Sequence, residues 1–98
     1  MSVYLVMAVE VKDSELYAKY VAGAAKALKP FNLTRLSADS EPTVYEGEQP
    51  ANRLAIIEFE SQEKFDEFYR SDAYQEVIGL RFASADTKFI MTMKPPAG

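Results

Sequence analysis

The 98-residue chain contains no cysteine, no histidine and no tryptophan. Without the first two it has no disulfide, thiol nucleophile, histidine base, haem axial histidine or conventional zinc site. It also lacks a basic cluster: 11 lysines and arginines stand against 15 acids, for a net charge of −4 and a pI near 4.8. That balance argues against binding a phosphate backbone, and so against a nucleic-acid partner. Long hydrophobic runs are missing as well. The first apolar stretch, Val3 to Val9, has no basic region before it and meets Glu10 directly after it, so it fits neither a signal peptide nor a membrane span. Together with the absence of cysteine, this points to a cytoplasmic protein with no membrane partner. With 48% hydrophobic and 27% charged residues, the chain reads as a single soluble globular domain over residues 1–94, followed by a frayed tail over 95–98. A domain this small buries roughly 60 to 68% of the surface its unfolded chain exposes, so a second, intermolecular core would help it.

Residues Val3 to Val11 alternate partly at period two and are rich in β-branched and aromatic side chains, which predicts a strand. Lys12-Asp13-Ser14 offers capping oxygens for a helix that runs to about Lys29, where Pro30 stops it. Tyr17, Tyr20, Val21, Ala24, Ala25 and Leu28 form its expected buried stripe. Residues Asn32 to Ser37 predict a second strand. The connection from Ala38 to Asn52 holds two prolines, one glycine and four acids, with Thr43 to Glu46 as a possible strand extension. Arg53 to Glu60 predicts a third strand. Ser61 caps a helix carrying Phe65, Phe68 and Tyr69, and Ser71 or Asp72 caps another through about Ser84, with Gln75 placed for a capping-box role. Lys88 to Met93 predicts the last strand.

This order is an α+β, ferredoxin-like βαββαβ arrangement with the second helix split in two. Its helices cover one face of the sheet. The other face is expected to carry Tyr4, Val6, Ala8, Leu54, Ile56 and Ile90, an apolar patch too large to leave in water. Pairing two such faces about a twofold axis buries it, which makes a homodimer the expected assembly.

Val11-Lys12-Asp13 followed by Tyr17 and Tyr20, then Tyr45-Glu46-Gly47, Pro50, Arg53, Glu58-Phe59 and Ser61, resemble a small bacterial domain family of unknown function. Phe68-Tyr69-Arg70-Ser71-Asp72-Ala73-Tyr74-Gln75 and Arg81 are similar to its aromatic-Tyr-x-Ser-x-x-Tyr-Gln segment and later arginine. The resemblance extends from Tyr4 to about Met93. It implies a dimeric α+β barrel, in which two ferredoxin-like subunits close their sheets into a shared barrel. Relatives in that superfamily include cofactor-independent monooxygenases, haem-degrading enzymes, lactone isomerases and regulatory ligand domains, and fold analogy does not choose among them. Two departures stand out: Phe68 replaces a frequent tryptophan, and Asn32-Leu33-Thr34 replaces a glycine-containing entry to the second strand. The missing histidine counts against the haem-dependent relatives and against histidine-based monooxygenases.

The candidate site residues are Tyr17, Arg53, Glu58, Tyr69, Tyr74 and Arg81. Tyr74, Val77, Ile78 and Arg81 recur at helical spacing, so Arg81 can clamp a substrate carboxylate or enolate through its planar fork. Alternatively, it can form an ion pair with Glu58, Asp86 or another carboxylate that stitches helix to sheet, or lie solvated with its stem on the surface. The tyrosines can donate phenolic hydrogen bonds or simply supply buried area with the hydroxyl at the rim. Glu58, flanked by apolar residues, is a general base if burial raises its pKa, or a paired structural carboxylate. Glu41, Glu46 and Glu48 match no calcium loop. No metal and no cofactor is expected. These residues point to a small apolar or aromatic organic ligand in a cleft between helices and sheet, with any chemistry cofactor-independent. The alternative is a non-catalytic regulatory or assembly module whose dimer is the functional unit. A ligand site predicts a cavity of roughly 300 Å³ or more with inward polar groups; a module predicts neither.

Overall fold

The structure, a computed structural model, describes residues 1–97; Gly98, the last residue of the expected tail, lies outside the described residues. Seven elements follow in order: β1 (Val3–Val11), α1 (Ser14–Leu28), β2 (Leu33–Asp39), β3 (Arg53–Phe59), α2 (Gln62–Arg70), α3 (Asp72–Ser84) and β4 (Ala85–Met93). The four strands form one antiparallel sheet in the order β2-β3-β1-β4, the ferredoxin-like arrangement. β2 and β4 extend beyond their sequence-based limits, and residues 43–46 add no strand. In that connection Gly47 adopts φ +89°, a turn conformation that disfavours any side chain.

Local chemistry sets the helix ends. Asp13 accepts a hydrogen bond from the Leu16 amide at 3.1 Å, capping α1. Ser61 caps α2 by accepting from the Lys64 amide at 3.1 Å. Ser71 splits the second helical segment because its hydroxyl does two jobs: it donates to the Phe68 carbonyl at 2.7 Å and accepts from the Tyr74 amide at 3.2 Å. It closes α2 and opens α3. Gln75 completes no capping box; its side-chain amide donates to the Tyr69 carbonyl at 2.7 Å.

Strand pairing separates the two sheet faces. Val3 pairs with Phe59, Leu5 with Ile57 and Met7 with Ala55, and these residues face the helices. Tyr4, Val6 and Ala8 pair with Met93, Met91 and Phe89 on the opposite face. The expected placement of Ile90 on the open face is therefore corrected. Ile90 pairs with Met7 and borders the helix–sheet space, while Phe89, Met91 and Met93 face away. A one-residue slip in an assumed register moves every side chain of a strand to the other face. On the open face Ile56, Met91 and Met93 are 38%, 44% and 55% exposed.

Between the layers, α1 buries Tyr17, Tyr20, Ala24 and Ala27. Ala27 thus joins the expected stripe, whereas Val21 and Ala25 stay exposed at its edge. Gly23 lets α1 approach α3: a Cβ there would lie 2.5 Å from Val77 Cγ1. The Ser84 carbonyl accepts from the Lys12 and Asp13 amides at 2.9 and 3.0 Å, tying the end of α3 to the turn that starts α1.

Candidate functional site

A cavity of about 180 Å³ lies between α1 and the sheet, with aromatic side chains of α2 and α3 at one end. Its volume is smaller than the sequence-based expectation and comparable to cavities that hold a single benzene ring. Of the six candidate residues, Tyr17, Arg53, Tyr69 and Tyr74 line it. Tyr20 lines it as well, together with Phe68, the residue at the frequent tryptophan position.

Aromatic rings form a connected wall. Phe68 and Tyr74 have centroids 4.5 Å apart, Tyr69 and Tyr74 5.5 Å, and Tyr17 and Tyr20 5.3 Å. Such tilted and edge contacts hold the rings in place beyond their area burial. The Tyr20 and Tyr74 hydroxyls are buried and 2.6 Å apart. One hydroxyl donates to the other, so the second hydrogen of the pair is left for another acceptor. Burial pushes the Tyr20 phenol well above its usual pKa, and the neighbouring Tyr74 adds to the shift. Tyr20 consequently keeps its proton at neutral pH. Burial also raises the Tyr17 pKa, against the opposing pull of Arg53 and Arg81.

Arg53 begins β3 and places its guanidinium 5.3 Å from the Tyr17 ring centroid, a cation–π contact that fixes its position at the cavity. Asn52 prepares this entry. Its side chain accepts from the Val11 amide at 2.7 Å and donates to the Val11 carbonyl at 3.0 Å, as a strand neighbour would, while its own amide donates to Glu10 at 3.1 Å. Arg35 of β2 also lines the cavity. The β2–β3 register shifts between Arg35 and Ser37, and Arg35, Ser37 and Ala38 all face the cavity around this bulge. Sequence reasoning missed Asn52 and Arg35. A helix-facing parity for β2 would have flagged Arg35, while no sequence signal marks a long-range contact such as Asn52 to Val11.

Two candidates are displaced. Glu58 pairs with Tyr4 between the core residues Ile57 and Phe59, so it projects from the open face and borders a separate shallow depression near Asn32 and Thr34. Strand alternation excludes it from the cavity. Arg81 is only 2% exposed but does not line the cavity; it sits behind Tyr20, 5.8 Å from the ring centroid. Its Nη1 donates to Thr87 Oγ1 at 2.6 Å, and its Nε has no hydrogen-bond partner. The expected ion pairs with Glu58 and Asp86 are absent among the described residues, and Asp86 instead meets Lys88 at 2.7 Å. Desolvation opposes the Arg81 charge, yet the Tyr74 and Tyr20 phenols outweigh it and keep its pKa above the usual value.

A family model for a domain of unknown function, DUF1330, matches residues 2–94. The chain belongs to the DUF1330 family. No curated protein matches it. Among solved structures, a protein of unknown function from Rhodopseudomonas palustris is similar at 18% identity, covering 99% of this chain and 84% of that one, with a TM-score of 0.82. An Arabidopsis thaliana protein is 18% identical over 100% of this chain and 98% of its own, with a TM-score of 0.67. A putative antibiotic biosynthesis monooxygenase from Chloroflexus aurantiacus is 12% identical over 100% and 96%, with a TM-score of 0.57. At these identities the likeness establishes a shared ferredoxin-like fold.

Proposed function

We propose that this DUF1330 protein is a homodimer that binds a small apolar or aromatic organic molecule in the cavity between α1 and the sheet, with any chemistry there free of a cofactor. The observation that carries this reading is the cavity itself: aromatic walls combined with an inward pair of phenols and an arginine. Packing alone does not require a space of about 180 Å³ to be left beside a buried hydrogen-bonded pair. The phenol pair orients the ligand through the one hydrogen it has to spare, which donates to a ligand oxygen.

Dimerisation covers the open sheet face, where Ile56, Met91 and Met93 are exposed beside half-buried Tyr4, Val6, Leu54 and Phe89. The non-catalytic module remains the competing reading, favoured by the same face. Native mass spectrometry of freshly purified protein tests both parts. A dimer carrying a stoichiometric small molecule is expected; a bare dimer that takes up no aromatic compound on titration favours the module. A monomer refutes the dimer, and Ile56→Lys should convert a dimer to a folded monomer by placing a charge in the interface.

A further inference from the structure

Charge around the cavity is one-sided. The chain carries a net charge of −4, yet no aspartate or glutamate lines the cavity, and its charged lining consists of Arg35 and Arg53. Lysines make both ion pairs found among the described residues, Lys64–Glu67 and Lys88–Asp86, so no arginine has a carboxylate partner there. Behind the wall, the buried Arg81 adds a third guanidinium that no carboxylate neutralises. A guanidinium removed from water without a counter-charge is costly. In an acidic protein, two guanidiniums on the lining of one apolar space and a third buried behind its wall leave a positive field that a ligand can neutralise.

We propose that the cavity takes a small organic monoanion, an aromatic or similarly apolar acid whose carboxylate is held by the Arg53 guanidinium while its ring lies against the Tyr and Phe wall. The inference rests on the cavity being a ligand site and adds the class of ligand. Arg53 is suited to the task because its contact with the Tyr17 ring, 5.3 Å to the centroid, holds it at the cavity, and its planar fork matches a carboxylate. Arg35, exposed on the edge strand β2, supports the same charge from the rim. A cavity of about 180 Å³ limits the ligand body to about one ring. Tyr20 and Tyr74 share one hydrogen bond and have a single hydrogen to spare between them, so they can orient the ligand but do not replace the arginine that holds its charge.

The test uses two probes of nearly the same shape, benzoate and benzamide, titrated into the full-length protein and followed through its amide NMR spectrum. Benzoate is expected to shift the signals of cavity residues with an affinity about tenfold or more above that of benzamide, the scale of one charge-assisted hydrogen-bond pair. Arg53→Gln should lower benzoate affinity far more than benzamide affinity. Arg53→Lys, which keeps the charge but loses the fork, should fall between them. Arg35→Gln, at an exposed position, should produce a smaller loss for benzoate alone. Equal affinities for the two probes, or an unchanged ratio in Arg53→Gln, would overturn the anion assignment while leaving the ligand site intact. If neither probe shifts a cavity residue, the ligand-site reading itself falls, and the anion assignment with it.

Discussion

The Tyr20–Tyr74 pair offers a direct check on how the cavity wall is built. Tyr→Phe at either position removes one hydroxyl and keeps the ring, so the aromatic contacts at 6.1 Å between the two and at 4.5 Å between Tyr74 and Phe68 persist. Each single variant loses a 2.6 Å bond and leaves the other hydroxyl buried without that partner. The lost bond is worth about 0.5–1.5 kcal/mol, and the stranded hydroxyl brings the total to about 1–3 kcal/mol. The double variant strands nothing, because both partners become apolar, so it should cost no more than the worse single variant. A double-mutant cycle is therefore expected to return a coupling of about 1–2 kcal/mol, far outside the additivity seen for independent sites. Urea unfolding at one fixed protein concentration measures it, since an assembling protein changes its apparent stability with concentration. Additivity of the two substitutions to within about 0.5 kcal/mol would refute the pairing.

Alkaline pH provides a second test. The folded-state pKa of both Tyr17 and Tyr20 is raised above the ordinary value of 10.0, chiefly by burial. Above that pH the unfolded chain releases phenolic protons that the folded chain retains, so stability is complete below about pH 10 and falls as pH rises further, with a limiting slope of about 1.4 kcal/mol per pH unit for a phenol that stays protonated in the folded chain. Tyr20→Phe should flatten this alkaline limb in urea titrations at pH 9 and pH 11; an identical limb in the variant would contradict the burial argument. Gly23→Ala gains about 1 kcal/mol of helix propensity but drives a Cβ to 2.5 Å from Val77 Cγ1. Overpacking of this kind costs about 1–3 kcal/mol, so the midpoint of thermal unfolding should fall, and a rise would show that α1 and α3 have room to separate. Asn52→Ala removes the two side-chain bonds to Val11 and should cost about 1–2 kcal/mol. It should also speed hydrogen exchange at the Val11 amide, which unchanged exchange would contradict.

Much of the candidate site was legible because tyrosines and an arginine at helical or strand spacing must face something. Tyr17 and Tyr20 fall on the inner stripe of α1, and Tyr74 follows the Ser71 cap of α3, so helix geometry alone turned them inward. Arg81 lies on that same inward face, but periodicity does not say which buried space a side chain enters. Its place behind Tyr20 depends on Thr87 of β4, in a strand whose register with β1 shifts between Ala8 and Val9. Glu58 shows the opposite limit. Its apolar neighbours make it look enclosed, yet those neighbours face the core because alternation turns Glu58 away.

The sequence by itself determined the order of the seven elements, the cap at Ser61, helix starts within Lys12–Ser14 and at Ser71 or Asp72, and the presence of apolar side chains on both sheet faces. These features depend on interactions within a few residues, or on a periodicity that any strand or helix imposes on its own side chains. Only the tertiary structure decided that Ile90 faces inward and Met91 outward, that Arg35 and Arg53 share one cavity, and that no acid joins them. Those outcomes depend on strand register and on two bulges, which are set when distant segments pair and pack, and a displacement of one residue in either would reverse them.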